Sequence, residues 1–103
     1  MKNNYGIRKN LFNNIINEFK KSNIEKAILF GSRARGNYKY NSDIDLAIIF
    51  TNNDSDNYIK ILTKLEELYT LYKFDVIDYN KITNIKLKEE IDKDGIIIYK
   101  KTS

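Results

Sequence analysis

Two hydrophobic rhythms alternate along this chain, and neither an all-helical nor an all-strand fold accommodates both. Ile7, Leu11, Phe12, Ile15, Ile16 and Phe19 recur at helical spacing with polar residues between them, which predicts an amphipathic helix over residues 5–21. Residues 27–30 are a short apolar run stopped by Gly31-Ser32, the pattern of a buried strand. The stretch to Ser42 is polar, carries Gly31 and Gly36, and reads as loop with one helical turn beginning after Ser32. A second strand is expected over 43–50. Asp54, Ser55 or Asp56 could then cap a helix over 56–72 with Ile59, Leu62, Leu65, Tyr69 and Tyr72 on one face. A third strand over 74–79 precedes a short helix from about Asn84 to Asp92, ended by Gly95, and a last strand over 96–99. The order α-β-turn-β-α-β-α-β implies an α/β fold, a single sheet with packed helices. At 103 residues the chain holds one hydrophobic core, so residues 1–103 are read as a single domain.

What is missing narrows the chemistry. The chain has no cysteine and no histidine, which removes disulfides, thiolate metal sites, and the commonest general base and zinc ligand. Any reaction must run on carboxylates, hydroxyls, amines and bound ions. The longest apolar run, Leu46-Ala47-Ile48-Ile49-Phe50, is far too short for a membrane span, and the first residues lead into no apolar signal core. A cytoplasmic location is expected. The net charge of +4 admits nucleic acid as a partner, but the surplus comes from scattered lysines and no aromatic-plus-basic stripe marks a strand-binding track.

The informative segment is Phe30-Gly31-Ser32-Arg33-Ala34-Arg35-Gly36, followed by Ser42-Asp43-Ile44-Asp45-Leu46. Asp43 and Asp45 stand two apart at the start of a strand, so their side chains leave the same face. Carboxylates this close repel unless a cation lies between them, and hard oxygen ligands suit magnesium or manganese. A Gly-Ser pair at a strand end, entering a helical turn, can aim backbone N–H groups at an anion. Each piece alone has an ordinary explanation as a turn or a solvated strand end. Together, at one fixed spacing, they should arise by chance in on the order of one in a thousand chains this long. Two metals need a third carboxylate, and residues 74–78 offer Asp75 and Asp78 on opposite faces. Asp75, at the start of its strand as Asp43 is, is preferred. Arg33 and Arg35 are candidates for compensating phosphate charge, or else solvated loop cations.

This block resembles the signature of the DNA polymerase β-type nucleotidyltransferase superfamily. The short length and the closing Glu89-Glu90-Ile91 with Gly95-Ile96-Ile97-Ile98-Tyr99 resemble its minimal nucleotidyltransferase branch. The resemblance covers the chain from about Ile24 to Tyr99. It implies that Asp43, Asp45 and Asp75 hold two divalent ions, and that Gly31 and Ser32 contact the triphosphate of a nucleotide substrate such as ATP. Asp75 matches the third motif only by position and apolar flanks. For such a site, strand 26–30 must deliver its C-terminal end while strands 43–50 and 74–79 deliver their N-terminal ends. The first two are then antiparallel, the second and third parallel, and the sheet is mixed. The expected reaction is attack of an acceptor hydroxyl on the α-phosphorus with loss of pyrophosphate. No segment remains for an acceptor domain, so the acceptor should arrive on a partner. Many minimal nucleotidyltransferases are paired with a HEPN-domain toxin, and the resemblance implies transfer of AMP to a tyrosine of such a toxin. Two other readings stay open, a module that blocks its partner by contact alone and a nucleic-acid-modifying protein.

Overall fold

The computed structural model describes residues 5–51, 55–68 and 71–102. Its elements run α1 (Lys9–Lys21), β1 (Ile24–Phe30), α2 (Gly31–Arg35), β2 (Ile44–Phe50), α3 (Ser55–Glu66), β3 (Phe74–Asp78), a single 3-10 turn (Tyr79–Lys81), α4 (Ile85–Asp94) and β4 (Ile96–Lys100). The four strands form one sheet in the order β3-β2-β1-β4. β1 is antiparallel to both β2 and β4, whereas β2 and β3 are parallel, so the sheet is mixed as the site's demands required.

The first helix begins four residues later than its periodicity suggested. Tyr5 and Gly6 both take left-handed backbone conformations, with φ of 56° and 76°, and no α-helix can run through them. Ile7 keeps its place in the apolar pattern by another route, lying in an isolated bridge and wholly buried. The helix at 56–72 ends at Glu66. Of its expected residues, Asp54 and Tyr69 fall outside the described ones, while Ile61 and Leu65 carry its buried face. Asn84 caps α4 by accepting a hydrogen bond from the Leu87 N–H at 3.1 Å, and Gly95 closes it by donating to the Ile91 carbonyl at 2.8 Å.

Side chains alternate across the strands, so the sheet has two apolar faces of unequal size. Ile44, Leu46, Ile48, Leu29 and Val76 pack with Ile15 and Phe19 of α1 and Ile61 and Leu65 of α3 in the main core. Phe30, Ala47 and Ile91 of α4 form a smaller cluster on the other face, flanked by Ile28, Ile77, Ile82 and Leu87. Asp45 shares its face with Ala47, and Asp75 shares its face with Ile77. The smaller cluster therefore stops, toward the N-terminal ends of β2 and β3, where the carboxylates begin. Among the described residues no helix is long and apolar enough to cross a membrane.

Candidate active site

The parallel pairing of β2 with β3 brings the acidic residues together. Its register sets Asp45 directly beside Asp75 and Ile44 beside Phe74. Neighbours in register project to the same face, so Asp45 and Asp75 stand side by side. Asp43 lies one residue before β2, and both it and Asp75 are exposed, while Asp45 is half-buried. Asp78 closes the far end of β3 and accepts a hydrogen bond from the Asn80 N–H at 3.1 Å, capping the 3-10 turn. It takes no part in this cluster. Of the two candidates in that strand, only Asp75 stands with Asp45.

The electrostatics follow from that arrangement. Burial pushes the Asp45 carboxyl up to a pKa of about 6 from 3.8, and the charges of Asp75 and then Asp43 push in the same direction. The Arg35 and Arg33 guanidiniums oppose the rise but do not cancel it. The cluster is thus short of positive charge. Among the described residues no three carboxylates are gathered closely enough to form a finished metal cage. The donors are nonetheless the hard oxygens that magnesium or manganese prefers, and their mutual repulsion is what a divalent cation would relieve. On donor chemistry and charge, the residues fit such an ion.

Gly31 explains itself here. Its φ is +76°, and a Cβ placed on it would collide with the Asp45 Oδ2 and come to 3.0 Å from Asp45 Cγ. Only glycine lets the turn after β1 run this close to the carboxylate. Phe30, just before it, pairs in register with Asp45, so β1 delivers the Gly31-Ser32 turn to the acidic cluster. The turn continues into the short α2, which ends at Gly36 in a left-handed conformation with its N–H donated to the Ser32 carbonyl at 2.9 Å.

The two arginines of this segment separate. Arg35 is exposed on α2, within electrostatic reach of Asp45. Arg33 is neither the phosphate ligand nor the solvated cation that its sequence context suggested. It is 1% exposed, and its guanidinium is committed to backbone carbonyls: Nε and Nη2 donate to Ser42 O at 3.2 and 2.8 Å, and Nη1 donates to Tyr5 O at 3.0 Å. Tyr38 and Tyr72 cover its planar group with ring centroids at 5.1 and 4.8 Å. Sequence reasoning missed Tyr5, Gly6, Tyr38 and Tyr72 as partners of this group. The only local signal was a glycine inside an otherwise helical pattern at Gly6.

A hollow of about 580 Å³ lies elsewhere, along the outer side of β3, lined mainly by Tyr58, Ile59, Ile77, Ile82 and Leu87. It contains none of the three site aspartates. The hollow and the acidic cluster therefore lie in different places, and the chemistry of the acidic cluster is the more specific guide.

A family model described as Polymerase beta, Nucleotidyltransferase matches residues 13–103. A protein of Methanocaldococcus jannaschii named "Putative protein adenylyltransferase MJ0604" is 33% identical over 92 residues, covering 85% of this chain and 91% of its own. A second protein of that organism and the same named activity, MJ1379, is 33% identical over 81 residues, covering 76% of this chain and 80% of its own. Among solved structures, a toxin–antitoxin crystallised with AMP-PNP superposes with a TM-score of 0.70 at 22% identity, over 88% of this chain and 74% of that one. A crystal structure of the toxin–antitoxin MntA-HpeT gives a TM-score of 0.69 at 20% identity, over 88% of this chain and 74% of that one. At these identities the structural likeness establishes the fold.

Proposed function

Because this chain belongs to the polymerase beta nucleotidyltransferase family, we propose that it moves AMP from ATP onto a hydroxyl of a partner protein. The observation that carries the reading is the register of Asp45 beside Asp75, with Asp43 two residues earlier and the Gly31-Ser32 turn against Asp45. The names of the M. jannaschii relatives support protein as the acceptor, and the AMP-PNP of the structural neighbour supports an adenine nucleotide as the donor.

In this reaction the acceptor oxygen forms a bond to the α-phosphorus while the bond from that phosphorus to the β-phosphate oxygen breaks. Pyrophosphate leaves with the electron pair. The Gly31 and Ser32 backbone faces the triphosphate, and exposed Arg35 offers its guanidinium to the phosphate oxygens. Asp75, exposed at the start of β3, takes the proton of the acceptor hydroxyl. Asp43, Asp45 and Asp75 would hold two magnesium or manganese ions, which supply charge neutralisation for the triphosphate and acidify the acceptor. A tyrosine suits that role, since its hydroxyl loses a proton near pH 10, far more readily than an aliphatic alcohol.

The partner in this reading is a HEPN-type toxin that the chain neutralises as an antitoxin, supported by the toxin–antitoxin assemblies among its structural neighbours. The test is incubation with magnesium, α-labelled ATP and the product of the adjacent gene, followed by intact-protein mass spectrometry. Whole AMP increments on a partner tyrosine are expected, absent from the double variant Asp43→Asn/Asp45→Asn although its circular dichroism stays native. Label on RNA or a metabolite instead would end the antitoxin reading. No label on anything, with neutralisation intact, would make the chain a contact inhibitor.

A further inference from the structure

The proposed chemistry does not use Arg33, and among the described residues it alone of the charged groups is fully buried. A buried guanidinium is costly to desolvate and persists only where geometry and hydrogen bonds compensate it. We propose that Arg33 is the positioning residue of the site, a clamp that fixes the starts of β2 and β3 against the Gly31-Ser32 turn. The inference rests on the reading of Asp43, Asp45 and Asp75 as the reacting end of the fold.

Connectivity carries the argument. Arg33 lies one residue past Ser32 in α2, so its backbone moves with the phosphate-facing turn. Its side chain grips the Ser42 carbonyl with two N–H groups, and that carbonyl belongs to the peptide bond leading into Asp43. The covalent path between the two runs instead through 36–42, a segment with neither helix nor strand whose Tyr40 is 87% exposed. Such a segment holds itself together locally: Ser42 N–H donates to the Lys39 carbonyl at 3.0 Å, and Lys39 N–H donates to Ser42 Oγ at 2.8 Å. The β1–β2 pairing sets Asp45 beside Phe30, but Asp43 lies one residue before that strand, and there the grip of Arg33 on the Ser42 carbonyl adds the tie to the Gly31-Ser32 turn.

The second strand of the site is held by the same group. Tyr72, two residues before β3 and three before Asp75, covers one face of the guanidinium and donates its hydroxyl to the Gly6 carbonyl at 3.2 Å. The Ile44 N–H donates to the Lys73 carbonyl at 2.8 Å, which ties the two strand starts to each other. The N-terminal turn closes the arrangement. Tyr5 supplies the carbonyl for Nη1, and a side chain on Gly6 would meet the Tyr38 ring and come within 2.7 Å of Nη1. One planar, forked cation thus joins α2, the 36–42 segment, the approach to β3 and the Tyr5-Gly6 turn. Lysine, a point charge without a fork, reaches only part of this set.

The test compares Arg33→Lys and Tyr38→Leu with the unmodified protein, by hydrogen–deuterium exchange and by transfer kinetics across a magnesium titration. Tyr38→Leu leaves every carbonyl bond of the guanidinium in place and removes one covering ring. For Arg33→Lys we expect amide exchange over 38–44 to rise about tenfold or more while α1 and α4 keep their protection. The transfer rate at saturating ATP should fall at least about tenfold, the magnesium needed for half-activation should rise, and KM for ATP should stay within about threefold. Tyr38→Leu should move the same readouts in the same direction by less, and it carries the comparison if Arg33→Lys does not fold. Exchange raised evenly over the chain, or unchanged over 38–44, would overturn the clamp. Should the unmodified protein transfer nothing, the functional reading falls while the exchange pattern still decides the role of Arg33.

Discussion

Replacing Asp45 by Asn should stabilise the metal-free protein at pH 8 and leave it almost unchanged at pH 4. The folded Asp45 carboxyl titrates near 6, against 3.8 when unperturbed, because burial and the charges of Asp75 and Asp43 disfavour its ionised form. Between those two values the folded state holds more protons than the unfolded state, so stability falls as pH rises through this window. A rise from 3.8 to about 6 corresponds to about 3 kcal/mol at full strength. The group is half open to solvent, so screening reduces this to about 1–1.5 kcal/mol. For a domain of this size that is a melting-temperature gap of about 4–10 °C. The assay is thermal unfolding by circular dichroism in the presence of a chelator at both pH values, variant beside unmodified protein. Contributions from groups that do not interact with Asp45 are common to both and cancel in the difference. Magnesium should then raise the melting temperature of the unmodified protein at pH 8 more than that of Asp45→Asn, narrowing the gap. A gap that does not depend on pH, or a variant that is less stable at pH 8, would refute the account of Asp45 as a strained member of a cation-seeking cluster.

Asp75→Asn should lower transfer by about a thousandfold or more with little loss of ATP affinity by calorimetry, whereas Asp78→Asn, whose amide oxygen can still accept from Asn80 N–H, should transfer normally. Gly31→Ala should lower the melting temperature, since its φ of +76° costs a residue with a Cβ about 1–2 kcal/mol before the collision with Asp45 is counted. It should also weaken magnesium–ATP binding in calorimetry far more than Ser32→Ala, which removes only a hydroxyl. Asn84→Ala should cost about 1 kcal/mol through the lost cap on α4, read as a lower melting temperature with the transfer rate unchanged.

What could be read without coordinates was whatever periodicity and local chemistry encode. The strands announced themselves as apolar runs, and α4 carried both of its boundary signals, Asn84 at its start and Gly95 at its end, in the sequence. The mixed sheet followed from a functional demand, since three strands had to present particular ends to one site, and the pairings of β1, β2 and β3 have those directions. Register beyond that was not legible. Nothing local requires Asp45 to stand beside Asp75 and not one residue away; the burial of Leu46 and Val76 on the same face enforces it. The start of α1 was misread for a related reason. Ile7 satisfies the helical period as well as Leu11 does, yet its burial is achieved in an extended segment after two left-handed residues.

Arg33 marks where local reasoning ends, because its burial depends on Tyr5, Tyr38 and Tyr72, which meet only in the folded chain. One part of the answer was nonetheless available. Arg33 and Arg35 sit two apart in a helical turn, and residues at that spacing point about 200° from one another around the axis. Both could not have faced the same phosphates. A helix packed against the acidic cluster therefore had to send one arginine toward the site and the other away, into the protein or the solvent. The tyrosine-lined space beneath the starts of β2 and β3 takes Arg33, and Arg35 is left exposed on α2, within the field of Asp45. The separation of the pair is thus a consequence of helix geometry, while the choice between its members belongs to the tertiary structure.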